Sequence, residues 1–310
     1  MHLVVPFAAP LSEGGRQALR TLALPRLADW LRRARLVDRD EGDAESLTPP
    51  HERALARWHG WQGEDGLWPF AAAAAAADGF EAGSLGWGLL TPVHWHLGTE
   101  QLSLIDPAGL MLGEAASRVL FDTVAPLFTS EGFAAHYGAA SRWYIAHASL
   151  STLPTASLDR VIGRNVDRWL LTGPGGRLLR RLQNEVQMLL YTHPLNDERE
   201  ARGLLPVNSV WLSGCGTTQP VTQPLTQPVS TAVSVDDRLR SPALAEDWAG
   251  WCKAWNTLDA VWPPEITRLT LCGESSSASF EPAVRRFSGF MNTLRSLARR
   301  DEPRTLLEGL

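Results

Sequence analysis

Leu3-Val4-Val5-Pro6-Phe7 is an unbroken apolar run of strand length. Rich in β-branched residues, it predicts a short buried strand closed by proline. Pro25 suits the first turn of a helix. Beyond it, Leu27, Trp30, Leu31 and Ala34 recur at helical spacing, with Arg26, Asp29, Arg32, Arg33 and Arg35 mostly opposite. Residues 38–50 are charged, end in Pro49-Pro50 and predict a loop. Leu55 and Trp58 mark a second helix over 51–60. From 85 to 105 the period becomes two. Leu89, Thr91, Val93, Trp95 and Leu97 alternate with Leu90, Pro92, His94, His96 and Gly98, which predicts a strand with an edge or bulge at Pro92.

Further on, Leu102–Ile105 reads as a second strand ended by Asp106-Pro107, residues 113–128 as an amphipathic helix and Arg142–Ala146 as a strand. Helices are expected over 157–171 and 176–191, parted by the breaker cluster Gly173-Pro174-Gly175-Gly176. Val207–Leu212 predicts a strand leading into Ser213-Gly214-Cys215-Gly216. Three Thr-Gln-Pro repeats follow at 218–228, and regular proline with polar neighbours predicts an extended, solvated loop. A Trp-rich helix over 243–260, a strand at Leu269–Gly273 and a last amphipathic helix over 281–299 complete the pattern. Strands spaced by helices predict an α/β fold, a mixed sheet covered by helices. The expected organisation is a main α/β domain over 1–216, a Thr/Gln/Pro-rich loop over 217–240 and a C-terminal α/β portion over 241–310 packed on the same domain.

Composition narrows the function classes. With 44% hydrophobic and 20% charged residues, the chain has enough apolar side chains for a large core and is not of the disordered class. A net charge of −5 argues against a dedicated nucleic-acid binder. Lys253 is the only lysine; arginine in its place suits bidentate carboxylate or phosphate contacts, and GC-rich coding bias is the plainer reading. Cys215, Cys252 and Cys272 form no CxxC pair, so neither a zinc knuckle nor a disulfide framework is expected, and a reducing, cytoplasmic setting fits. No signal peptide is recognisable, and no apolar stretch reaches the ~18 residues of a membrane helix.

Few residues could carry chemistry. His94 and His96 share one face of a strand and could bind one metal ion, with Glu100 as a third donor; they equally suit the polar face of a half-buried strand. Arg160, Arg164 and Arg168 would line one helix face, either for a phosphate or as a solvated stripe paired with Asp159 and Asp167. Trp248, Trp251 and Trp255 recur at helical spacing, as a core stripe or a stacking platform. The densest word is His193-Pro194-Leu195-Asn196-Asp197-Glu198-Arg199, continuing through Gly203, Pro206, Asn208 and Trp211 to Gly214 and Gly216. Its polar members His193, Asn196, Arg199 and Asn208 are the candidate ligand contacts, with motif scaffolding as the other reading.

That word resembles a segment of archaeal-type cofactor-independent phosphoglycerate mutases, and residues 89–192 are loosely similar to the inserted domain of those enzymes. With the N-terminal Leu-Val-Val-Pro-Phe-Ala-Ala-Pro, Asn208-Ser209-Val210-Trp211 and Leu269–Glu274, nearly the whole chain resembles the RpfE-type regulatory proteins of proteobacteria. The resemblance implies a remnant of the phosphoglycerate mutase-like fold. The enzymes use two metal ions, an Asp near the first strand, a Ser that becomes phosphorylated and late Asp/His pairs. Here Pro6-Phe7-Ala8-Ala9-Pro10 closes the first strand, and no histidine follows His193. The expectation is therefore a regulatory or binding protein without a cofactor, recognising a protein or a small phosphorylated ligand. The alternative is a phosphoglycerate mutase-like isomerase or other phosphoryl-transfer enzyme, in which His94, His96, Glu100 and His193 would build an unfamiliar divalent-metal site.

Overall fold

The computed structural model describes residues 1–98, 101–220, 232–283 and 303–310. The first apolar run lies in β1 (His2–Ala9), which passes Pro6 and resumes its pairing at Ala9 after a register shift. Ser12 caps α1 (Glu13–Thr21) by accepting from the Gly15 N–H, and Pro25 opens α2 (Pro25–Arg32). Residues 34–40, expected to end a helix and begin a loop, instead form β2 (Ala34–Asp40). It is an edge strand with polar residues on both faces, so its hydrophobic pattern was silent; the ladder to Ser277–Pro282 creates it. α3 (Pro50–Trp58) follows. The alanine run lies in α4 (Phe70–Ala77), where Ala71, Ala72 and Ala75 are fully buried beside Trp87, Tyr144 and Ala146.

The chain then forms β3 (Gly86–Leu97), β4 (Leu102–Ile105), α5 (Glu114–Thr129), β5 (Ala134–Ala139) and β6 (Arg142–His147). The long helix expected over 157–171 is absent. Its place is taken by α6 (Leu158–Val161) and a single 3-10 turn at Val166–Trp169, separated by Gly163 at φ 73°. The expected breaker cluster 173–176 is the first turn of α7 (Gly173–Tyr191). α8 (Pro194–Ala201), β7 (Ser209–Thr217) and β8 (Val233–Val235) follow. The Trp-rich helix is split into α9 (Arg240–Leu244) and α10 (Trp248–Ala260), parted at Glu246 with φ 51°. β9 (Arg268–Gly273), β10 (Ser277–Pro282) and α11 (Pro303–Glu308) end the described chain. The helix expected over 281–299 yields Glu281 and Pro282 to β10; its residues from 284 onward lie outside the described residues, as do the second and third Thr-Gln-Pro repeats.

Contacts gather the chain into two compact units. One comprises Met1–Ala44, Pro49–Trp58 and Gln223–Leu310; the other Glu45–Thr48 and His59–Thr222. This division differs from the expected block 1–216, because strand pairing overrides chain order. In the first unit β1 lies parallel between β8 and β9, within the order β2-β10-β9-β1-β8. The antiparallel β10 and β2 make the sheet mixed. Its core joins Leu3, Val5, Leu27, Leu269 and Leu271 to Trp251 and Trp255, which are fully buried, so the tryptophan stripe is core. In the second unit β3 pairs antiparallel with β4, β6 and β7, and β6 with β5. β6 covers residues 86–90 of β3 and β4 covers 94–97, leaving Pro92 between them opposite Val210 of β7. The missing proline donor thus falls where neither ladder runs, and the bulge lies instead between Trp87 and Leu89. Both units are α/β, as the spacing of strands and helices implies.

Candidate functional site

The word 193–208 folds into a knot of side chain–backbone hydrogen bonds within the second unit. His193 caps α8: its Nδ1 accepts from the Leu195 N–H at 3.1 Å. That leaves Nε2 as the protonated nitrogen, 3.2 Å from Thr123 Oγ1 on α5. Asn196 is buried and uses both ends of its amide. Nδ2 donates to Leu190 O and Val207 O at 2.8 Å each, and Oδ1 accepts from Val207 N–H at 2.9 Å. Arg199, 4% exposed, donates from Nε to Leu205 O at 2.9 Å and from Nη2 to Leu110 O at 2.5 Å. Burial, with a lesser contribution from the charge of Arg202, lowers its pKa. Asn208 Oδ1 accepts from Trp95 N–H at 2.7 Å and Nδ2 donates to Trp95 O at 2.9 Å, so the side chain stands in for a strand beside β3 just before the start of β7. The structure brings Asn196, Arg199 and Asn208 into one region, where their polar atoms hold backbone; in these positions they scaffold the turn before β7.

The other sequence candidates disperse. His94 Nδ1 donates to Pro206 O at 2.9 Å, which leaves its Nε2, and the His94 and His96 ring centroids lie 6.4 Å apart. Glu100 lies outside the described residues. Among the described residues no three His, Cys, Asp or Glu side chains converge as metal donors. The arginine stripe does not form, because no continuous helix spans 160–168. Arg160 is 2% exposed and donates to Ser46 Oγ at 2.8 Å, whereas Arg168 is exposed and faces Glu45 at 3.8 Å.

In the first unit the parallel strands β1 and β9 present their carboxyl ends together, and open α/β sheets bind ligands at such ends. Phe7 has φ 55°, a left-handed conformation costly for a bulky side chain. The strain is held from both sides. Trp251 Nε1 donates to Phe7 O at 2.9 Å and Trp255 Nε1 to Ala8 O at 3.3 Å. The Phe7 ring lies 5.4 Å from that of His51. Glu274, just after β9, accepts from Leu11 N–H at 2.8 Å and ties down the exit from β1. Arg53 donates to Asp40 Oδ2 at 2.7 Å and to Ser275 O at 2.9 Å, and Arg57 to Asp40 Oδ1 at 2.8 Å. Burial pushes the Asp40 carboxyl up, but the hydrogen bonds and charges of Arg57 and Arg53 outweigh it and hold the pKa below the usual value. Burial raises the thiol of Cys272, so it is no nucleophile at neutral pH. Sequence reasoning missed this strained end: an apolar run carries no sign that one residue turns left-handed.

No protein-family model matches the chain, and no curated protein matches it. Among solved structures it is similar to a cofactor-independent phosphoglycerate mutase from Thermoplasma acidophilum, at 14% identity over 90% of this chain and 88% of that one, with a TM-score of 0.39. It is also similar to the PH0037 protein from Pyrococcus horikoshii, at 11% identity over 92% of this chain and 88% of that one, with a TM-score of 0.42. Neither likeness carries an argument about activity.

Proposed function

We propose that the chain is a regulatory or binding protein of the RpfE type, without two-metal phosphoryl transfer, that recognises a protein or a small phosphorylated ligand. The observation that supports this reading is the carboxyl end of β1. It is built from Phe7, Ala8, Ala9 and Pro10, which offer no carboxylate or hydroxyl, and the carbonyls of Phe7 and Ala8 are taken by tryptophan N–H groups. Two-metal catalysis needs carboxylate and imidazole donors that clamp both the attacking and the leaving oxygen.

The test is mutase turnover of the purified protein with added Mn²⁺ or Mg²⁺, together with metal analysis of the same sample. No turnover and no stoichiometric metal are expected. Calorimetric binding of 3-phosphoglycerate in the presence of a chelator would then mark a small-ligand sensor; no binding would direct attention to a protein partner. Turnover that chelator and His94→Ala both abolish would overturn the proposal in favour of a phosphoglycerate mutase-like isomerase.

A further inference from the structure

The first unit contains an open cavity of about 380 Å³ between α1, the start of α2 and α11. That volume lies within the range of small-molecule sites. Leu19, Leu22, Leu24, Ala28 and Leu307 form its apolar walls. Leu19, Leu24 and Leu307 are buried in the core of this unit, so packing behind the cavity holds its walls in place. Among the described lining residues the charged ones are Arg20, in the last turn of α1, and Arg304 of α11; no carboxylate accompanies them. Both arginines are exposed. An exposed arginine that lines an apolar wall lays its stem along that wall and keeps its guanidinium in water at the rim. The Arg20 guanidinium has no partner among the described residues. Arg304 gives Nε to Glu308 Oε1 at 3.0 Å, which leaves its two Nη groups.

Apolar walls under two guanidiniums complement a molecule with one apolar tail and one anionic head. We propose that this cavity binds a single anionic amphiphile, its hydrocarbon chain against the leucines and its carboxylate facing Arg20 and Arg304. Burial of the chain supplies the affinity, because apolar area leaves water. The head stays hydrated at the rim, where the arginines select its sign at modest gain. A phosphorylated sugar lacks the apolar part that these walls match, and a cationic amphiphile meets like charge. The site is separate from the strained end of β1 and does not depend on the regulatory reading.

The test uses the full chain without added metal, and decanoate, octanoate and 1-decanol as probes, each below its micelle or solubility limit. Calorimetry at low salt should show one saturable decanoate site. Octanoate, two methylenes shorter, should bind roughly tenfold more weakly. Arg20→Gln breaks no contact of the described chain, so it should leave the melting temperature unchanged. It should weaken decanoate by about two- to fivefold and leave decanol unaffected. High salt should reproduce that loss in the unaltered chain. Ala28→Trp fills the cavity and should abolish decanoate binding. Ala23→Trp, at an exposed lining position, serves the same purpose if the first variant fails to fold. No saturable decanoate binding, equal affinity for octanoate, an Arg20→Gln loss shared by decanol, or undiminished binding in a folded cavity-filling variant would each overturn the proposal. So would binding that appears only once Leu294 and Leu297 are both changed to Ser, since the occupant would then be a segment of the chain itself.

Discussion

Asn196→Ala separates scaffolding from ligand binding at the residue that sequence reasoning ranked among the candidate contacts. The side chain is 5% exposed and serves Val207 twice, accepting from its N–H and donating to its carbonyl. Leu190 O, its third partner, also accepts from His193 N–H at 3.2 Å and stays paired. The substitution therefore leaves two buried backbone groups of Val207 without partners, at about 1–3 kcal/mol each. Entry of water into the vacated space offsets part of that, so the expected loss is roughly 3 kcal/mol. For a unit of this size such a loss lowers the melting temperature by about 6–12 °C. The assay is urea unfolding followed by hydrogen exchange of peptides from the second unit, which separates its transition from that of the first. Asn196→Asp keeps an acceptor for Val207 N–H but sets its second oxygen against the carbonyls of Leu190 and Val207, so at pH 7 it should cost at least as much. A loss below about 1 kcal/mol for Asn196→Ala, together with loss of 3-phosphoglycerate binding, would refute the scaffold assignment.

Three further outcomes follow from the geometry. His2 is held at a pKa of about 3 by burial, then by the charges of Arg268 and the N-terminal ammonium. Since the unfolded chain takes up that proton near pH 6.5, stability is full above 6.5 and falls as the pH drops toward 3, by at most about 1.4 kcal/mol per unit. Urea midpoints should show His2→Gln flattening this limb, with His59, lowered by burial, supplying the remainder; an unchanged slope would refute the assignment. Hydrogen bonds from Arg142 and Tyr144 hold the Asp78 carboxyl below its ordinary pKa against the pull of burial. Its stabilisation is therefore present above the ordinary value and lost as the pH falls through the lower, folded one, and Asp78→Asn should remove that acid limb from the same titration. Gly214 has φ 64°, and a Cβ there would meet Ala71 N at 3.0 Å, so Gly214→Ala should cost about 1–3 kcal/mol, measured by thermal unfolding.

Among the elements, those with a strong apolar period could be read from the chain. β1, α3, β4, α5, β6 and β9 occupy the segments that periodicity marks, because each buries a face whose spacing is local information. β2 could not be read, since its polar alternation becomes a strand only when β10 offers a ladder. Nor could the break at 162–165, where tertiary contacts of Arg160 with Ser46 and the turn at Gly163 win over helical propensity.

The polar word 193–208 was visible as a pattern but not as a role. Which atoms Asn196, Arg199 and Asn208 meet depends on Leu190, Val207, Leu110 and Trp95, and those neighbours are fixed by packing. The sequence by itself determined the α/β class and the lack of carboxylates in the Phe7-Ala8-Ala9-Pro10 end of β1, because composition and period set what can be buried. Only the tertiary structure decided that β1 pairs with β8 and β9 across more than 200 residues, that Phe7 turns left-handed under two indoles, and that Trp251 and Trp255 are core and not a stacking platform. Hydrogen-bond partners distant in the chain carry no local signature, so these pairings could be seen only in the fold.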